Sequence, residues 1–383
     1  MEGQIRKIVG KKGTSWSVSI FLGRDAKGKR QFHYKTVKGT KAKAQAYCRK
    51  KLRELDTTGT LFEPTDLTLD KYLDKWLEAA AKPKLTPLTF QHYKDILDRY
   101  VRPVFGEMKL CRIQTLDVQK LYSEMQERGL SARIVRYTHA VLSSSFKMAI
   151  KWQLLQQNPC ANAELPRKER SEMQAMTPEQ AAKFLTEAQS DRFGVLFNVA
   201  VIAGLRPSEY FGLQWKDIDF NSGVLTVQRT LAWLRDGTWY FGEPKTSRSR
   251  RSIPLPQEII DLLREHKRVQ AEERIKAAKT YENRDLVFAN SQGNPLMLHN
   301  LTVRHFRPIL KRAGLPQTFR IYDLRHTCAS LLLAAGENPK VVAERLGHSS
   351  VTITLDTYSH VLPTMQRSAS DKLANMLFSK AVS

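Results

Sequence analysis

The chain predicts an α+β protein of several domains, and three observations carry that expectation. Its 383 residues, at roughly 100 to 200 per domain, allow two or three domains. Apolar residues recur at spacings of three and four over most of the length, whereas strand-like alternation is confined to short stretches near the N-terminus and in the second half. Positive charge is also concentrated at one end. The expected architecture is a small N-terminal sheet-plus-helix domain, a helical domain, and a larger mixed, mainly helical domain.

Residues 1–63 hold 16 Lys plus Arg against 5 Asp plus Glu, a net +11 of the chain's +24. Trp16 to Phe21 alternates as a strand, Asp25 to Lys29 supplies a turn, and Gln31 to Val37 reads as a second strand. A basic helix follows from about Lys41 to Leu55. A small sheet backed by a helix, with Lys, Arg, Gln and His facing outward, can lie in a DNA major groove. Lys29 and Arg30 are its candidate contacts, and a solvated basic hairpin is the plainer alternative.

Residues 64–160 are helical by periodicity, with Leu69, Tyr72, Leu73, Trp76 and Leu77 on one buried face. Four short helices are expected, divided at Pro83 and Pro87, at Pro103 and Gly106, and at Gly129, the last ending at Asn158-Pro159. Arg133, Arg136 and Lys147 could face a phosphate backbone or simply solvent. Residues 161–176 read as a linker, closed by the capping box Thr177-Pro178-Glu179-Gln180. The mixed domain spans 177–365. Residues 366–383, with Asp371, Leu373, Met376 and Leu377, form a short amphipathic tail helix.

Composition narrows the function. A surplus of 62 basic over 38 acidic residues, +24 in all, favours a polyanionic partner through counterion release, nucleic acid foremost. No apolar run is long enough to span a bilayer, and the first residues lack the apolar stretch of a secretion signal, so a cytoplasmic address and no membrane partner are expected. Cys48, Cys111, Cys160 and Cys328 form no CxxC pair, so neither a zinc site nor a disulfide framework is expected.

Five short segments carry the chemistry. In Ala203-Gly204-Leu205-Arg206-Pro207-Ser208-Glu209, glycine permits a tight turn, proline opens a helix, and Arg206 sits at its start, where a guanidinium adds bidentate donors for a phosphate. Glu209, one turn on, could hold it; an Arg–Glu pair of this kind also serves structure alone. Gly242 to Arg251, between Val224–Gln228 and Ser252–Leu255, describes a hairpin tipped with cations, including Lys245 and Arg248. A lysine ammonium there could reach a phosphate and protonate a departing oxygen.

In Tyr322-Asp323-Leu324-Arg325-His326-Thr327, Tyr322 and Arg325 are three apart on one side of a helix start, where a second guanidinium could join Arg206. His326 lies nearer the apolar side and is expected to pack and hydrogen-bond rather than to catalyse. Asn338 caps, Pro339 opens and Gly347 closes a short helix, leaving His348 just beyond. Tyr358 follows His348 by ten residues.

In this combination and order, AGLRPSE, PKT, DLRHT, LGH and TYSH resemble the phage integrase family of tyrosine recombinases. The resemblance implies a catalytic domain at 177–365, a core-DNA-binding domain at 64–160 and an arm-DNA-binding domain at 1–63. It implies that Tyr358 attacks a DNA phosphorus, that Arg206 and Arg325 stabilise the non-bridging oxygens, that Lys245 acts as acid and that His348 assists the phenol. It also implies no metal and no cofactor, double-stranded attachment sites as substrate, a homotetramer in the synaptic complex, accessory DNA-bending and excision proteins, and a nucleoid-associated life in a bacterial host. Tyr322 stands where the family most often has histidine, and a phenol donates a hydrogen bond but supplies no cation. Two other functions fit some of these residues: a type IB topoisomerase and a catalytically weak DNA-binding regulator.

Overall fold

The computed structural model describes residues 3–10, 13–24, 28–58, 66–168, 173–244 and 249–358, together with 370, 371, 373, 374 and 376–378. The chain divides into two compact units, 1–169 and 170–383, so the boundary falls within the segment expected to be a linker.

The first unit begins with an antiparallel sheet in the order β1 (Gly3–Gly10), β2 (Gly13–Arg24), β3 (Arg30–Lys38). β1 was not legible as a strand, since charge interrupts its alternation. Helix α1 (Lys41–Thr58) packs on one face, where Val18, Ile20, Ala44, Cys48 and Leu55 form a small core. Pleat alternation puts His33, opposite Ile20, on that same face. His33 is buried and bonded through Nε2 to Tyr47 Oη at 3.1 Å, which corrects the outward histidine expected from the sequence. The other face carries Gln4, Arg6, Ser17, Ser19, Tyr34 and Thr36.

Four helical runs follow, as the proline and glycine spacing predicts. The first is α2 (Leu69–Trp76), prolonged by a wide turn over Leu77–Ala81. The second joins α3 (Pro87–Ile96) through another such turn to α4 (Arg102–Phe105), and the last two are α5 (Thr115–Glu127) and α6 (Ala132–Lys151). Arg102 ties the first two runs through Asp70 and Asp74 at 3.1 and 2.6 Å and pairs within its own run with Asp98 at 2.8 Å. α6 stops seven residues before Asn158-Pro159. Gln153 takes a left-handed φ of 59°, letting Leu154 N–H reach back to Ala149 O at 2.8 Å and Leu155 enter the core; this glycine-free reversal has no sequence signature. Ala163 and Leu165 pack on the same core.

The second unit is built around α8 (Gly194–Ala203), whose apolar residues are buried on nearly every side. α7 (Pro178–Ala188), α10 (Gln257–Ala277) and α13 (Asp323–Ala334) pack against it, with Thr177 and Gln180 making the expected capping box. Between them lie α9 (Pro207–Phe211), a sheet in the order β4 (Ile218–Asp219), β5 (Val224–Val227), β8 (Arg251–Pro254), and a separate ribbon of β6 (Thr230–Trp233) and β7 (Trp239–Gly242). The single hairpin expected between Val224 and Leu255 is thus two nested pairs. α11 (Leu298–Leu301), α12 (Arg307–Arg312), α14 (Pro339–Leu346) and α15 (Val351–Tyr358) complete the unit. The described residues of 370–378 are helical, with Leu373, Met376, Leu377 and Phe378 exposed. Among the described residues no helix is long and apolar enough to cross a membrane.

Candidate active site

The site forms where α8 and α14 both end. An α-helix leaves its last carbonyls without partners and its C-terminus partially negative, so cations gather there. α8 closes on Gly204 and α14 on Gly347, with φ of 62° and 66°, conformations that glycine adopts without the penalty of a Cβ. A Cβ on Gly204 would also meet Leu346 Cδ2 at 2.6 Å, so the two helix ends approach closely only with glycine here.

Three arginines bind three successive carbonyls at the end of α14. Arg251 Nε donates to Arg345 O at 2.5 Å, Arg325 Nη2 to Leu346 O at 2.6 Å, and Arg206 Nη2 to Gly347 O at 3.2 Å. Arg325 Nη1 also donates to Gly204 O at 2.7 Å, bridging both helix ends. Glu209, 2% exposed, supplies the counter-charge. It accepts from Arg206 Nη1 and backbone N–H at 2.7 and 2.9 Å, and from Arg251 Nη2 and Nη1 at 2.9 and 3.1 Å. Burial opposes its ionisation, but the bonds and charges of Arg251 and Arg206 outweigh it and hold the carboxyl below the usual range. Arg325 is 1% exposed; burial, then the charge of Arg206, brings its guanidinium down to about 10, and it stays charged at neutral pH.

The phenol is held next to this cluster by α13 and α15. Tyr358, at the end of α15, is 1% exposed and packs on Ala329, Leu333, Val342 and Leu346. Its Oη lies 2.8 Å from His326 Nδ1, so neighbouring residues of α13 serve the two halves of the site. Burial raises the phenol's pKa while Arg325 pulls against that shift. Tyr322, at the N-cap of α13 and 39% exposed, sets its ring edge-on to His326 at 5.2 Å between centroids. His348 bonds through Nδ1 to Thr354 Oγ1 at 2.8 Å. Burial, reinforced by Arg325, Arg206 and Arg251, brings it down to about 4, so it is neutral under ordinary conditions.

The comparisons with known proteins decide the family. The family model described as "Phage integrase family" matches residues 174–365, and "Phage integrase, N-terminal SAM-like domain" matches residues 68–126. The chain belongs to the phage integrase family. It is a tyrosine-type site-specific recombinase. It is 30% identical to "Tyrosine recombinase XerC-like" of Caldanaerobacter subterraneus subsp. tengcongensis over 94% of this chain and 96% of that protein. It is also 30% identical to the ICEBs1 integrase of Bacillus subtilis, over 76% and 78%. Among solved structures, the Tn1549 transposon integrase in complex with a circular intermediate DNA shares the fold, with a TM-score of 0.65 at 24% identity, over 80% of this chain and 100% of that one. A lambda integrase tetramer bound to a Holliday junction gives 0.57 at 18%, over 92% and 94%.

Of the residues expected in the recombinase's site, Arg206, Glu209, Arg325, His348, Tyr322 and Tyr358 come together, while Lys245 and Arg248 lie outside the described residues. Lys29, Arg30, Arg133 and Lys147 are exposed in the first unit, and Arg136 donates to Pro166 O at 3.0 Å. Arg251 went unrecognised as a member of the site, whereas His326 was expected to pack and hydrogen-bond. Arg251 shares the inward phase of β8 and its continuation with buried Ile253 and Leu255, a period-two signal that marks an arginine facing the core. His326, one helical turn from Tyr322 on the same face, packs and hydrogen-bonds as expected, and its partner is Tyr358.

Proposed function

We propose that this recombinase breaks DNA by attack of Tyr358 Oη on a backbone phosphorus. The attack forms a 3′-phosphotyrosyl ester and releases a 5′ hydroxyl, and a partner strand's 5′ hydroxyl then reverses the step. One phosphoester replaces another, so the step conserves bond energy. The observation that carries this reading is the sharing of α13: Arg325 stands among the guanidinium groups and the next residue holds the phenol. Arg206 and Arg325 would hold the non-bridging oxygens, the electrostatic share of the barrier. Lys245 would protonate the leaving 5′ oxygen, and His348, neutral and close to the cations, would donate or accept a hydrogen bond beside the phosphate. Because the phenol is closed off from solvent, the end of α15 must move outward when DNA enters.

The wider assembly follows the same reading. The polar face of the N-terminal sheet, flanked by Lys29 and Arg30, would bind arm sites, and the helical domain with Arg133 and Lys147 would bind core sites. Recombination requires two sites cut together, hence a homotetramer on DNA, with the exposed Leu373, Met376 and Leu377 docking on a neighbouring subunit. The substrate would be the attachment sites of a mobile element, integrated and excised with accessory proteins. The test is Tyr358→Phe on a nicked suicide duplex: retained DNA binding and no covalent adduct are expected. An adduct in that variant would end the assignment, and wild-type protein that binds but never cleaves would make it a regulator.

A further inference from the structure

The phenol's hydrogen bond goes to a histidine that neither the sequence reading nor the family resemblance placed in the reaction. On the reading that Tyr358 is the nucleophile, we infer that His326, bonded to the phenol through Nδ1, is the catalytic group that takes the tyrosine proton during cleavage and returns it during rejoining.

The geometry supports this in three ways. His326 Nδ1 lies 2.8 Å from Oη, within the reach a general base needs before any conformational change. His348 directs its Nδ1 to Thr354 at 2.8 Å, while the hydrogen bond of the phenol goes to His326. Tyr322, where the family most often has histidine, sets its ring edge-on against His326. The aromatic at 322 thereby fixes the ring plane of His326 and acts on the nucleophile through it.

The surroundings set the protonation state. His326 faces Tyr322, Asp323, Arg325 and Arg320 from its own segment, Tyr358 from α15, and senses His348 beyond α14. Burial dominates and lowers its pKa, with Asp323 opposing and the two arginines reinforcing. The ring is therefore neutral at pH 7 and accepts a proton. Its charged form would be discouraged by Arg325, so the proton is held only as long as the covalent state lasts. In the forward step the Oη–P bond forms and the P–O5′ bond breaks. The phenolic proton passes to Nδ1, while the leaving oxygen takes its proton from the acid assigned above to Lys245. Rejoining runs the same transfers backwards, the imidazolium protonating the departing phenol.

The test uses the full chain and a nicked duplex carrying the attachment core, read from direct repeats flanking the gene. Adduct formation is followed against pH for wild type, His326→Asn, His326→Ala and Tyr358→Phe, with DNA affinity and Tm measured alongside. His326→Asn keeps an acceptor near the Nδ1 position without a basic site. It should bind DNA as wild type does and form adduct at least about tenfold more slowly at neutral pH, the defect narrowing as pH rises toward the phenol's own ionisation, which burial holds above the ordinary tyrosine range. Wild type should be flat across the same range. A 5′-bridging phosphorothiolate, whose leaving thiolate needs no acid, should leave the His326→Asn defect in place. A defect equal at every pH, rescue by the phosphorothiolate, or no defect at all would each overturn the role of His326 while Tyr358→Phe remains inactive. An adduct with Tyr358→Phe would instead remove the nucleophile assignment beneath it.

Discussion

Two regions of this recombinase are rich in arginine and lysine, and they use charge in opposite ways. The N-terminal 63 residues carry a net +11 (16 minus 5), with Lys29, Arg30, Lys35 and Lys38 exposed. The arginine cluster at the ends of α8 and α14 has three guanidinium groups, yet each is fixed to a helix-end carbonyl and two share a buried carboxylate. Mobile surface charge gives attraction that salt screens; charge fixed before the substrate arrives needs little reorganisation in the transition state. If that contrast is right, single substitutions in the cluster should alter chemistry far more than binding, and those in the sheet the reverse.

The sharpest break would come from Arg325→Ala. Loss of one fixed donor should slow adduct formation by about 10²- to 10³-fold, measured in single turnover with DNA saturating. The same change strips the partners from Gly204 O and Leu346 O, at a cost of about 1–3 kcal/mol for each buried carbonyl, so Tm should fall too. Arg325→Lys separates the effects, because an ammonium restores charge but not the fork that spans both helix ends. Equal cleavage by Arg325→Ala and wild type would show the cluster to be only structural.

Arg251→Ala tests whether the cluster is one unit. Arg251 meets Glu209 and the end of α14, and through Glu209 it holds Arg206. Misplacing Arg206 should slow cleavage by about 10- to 100-fold. Glu209→Gln should do the same, and the double variant should be hardly worse than either single, since residues in one network do not add. Additive losses would mean independent roles.

How much of this was readable beforehand follows from the kind of force involved. Arg206, Glu209, Arg325, His348 and Tyr358 lie beside strong local signals: prolines at helix starts, glycines at helix ends, an asparagine cap. Those signals set backbone conformation within a few residues, so the segments fold as the sequence predicts. Arg251 and His326 acquire their roles from partners 42 and 32 residues away, and no local pattern carries that information. The alternation of Arg251 with Ile253 and Leu255 can mark an arginine facing the core, but it carries nothing about Glu209 waiting there. The same limit misplaced His33, which alternation alone assigns to either face until α1 and Tyr47 are known. The nested ribbon of β6 and β7 escaped for a similar reason, since pairing of β5 with β8 is decided across the sheet.

A smaller effect concerns pH. His348 is buried among cations and brought down to about 4, whereas in the unfolded chain it titrates near about 6.5. The unfolded state therefore binds the extra proton first, and stability should decline as pH falls from about 6.5 toward 4, with no contribution above that window. His348→Asn should flatten this part of a Tm-against-pH profile. Glu209 acts in a lower range: its depressed pKa makes its contribution complete above the unfolded carboxyl value and lost as pH falls through the folded one. An unchanged acid slope in His348→Asn would place the proton uptake elsewhere.

The smallest effect should come from the sheet. Lys29 and Arg30 are exposed at the start of β3, so their value to DNA binding is the counterions they release. Each alanine substitution should reduce the slope of log affinity against log salt by about 1, visible in arm-site binding between low and moderate salt. Cleavage of a duplex with a core site and no arm site should not change, because neither side chain belongs to the catalytic unit. A fall in core-site cleavage equal to that of Arg251→Ala would erase the distinction between the regions, showing that surface charge on the sheet also sets the geometry of the buried cluster. A salt slope that does not move would take Lys29 and Arg30 out of the DNA interface altogether, leaving the polar face of Gln4, Ser17, Ser19 and Tyr34 as the part of the sheet to test next.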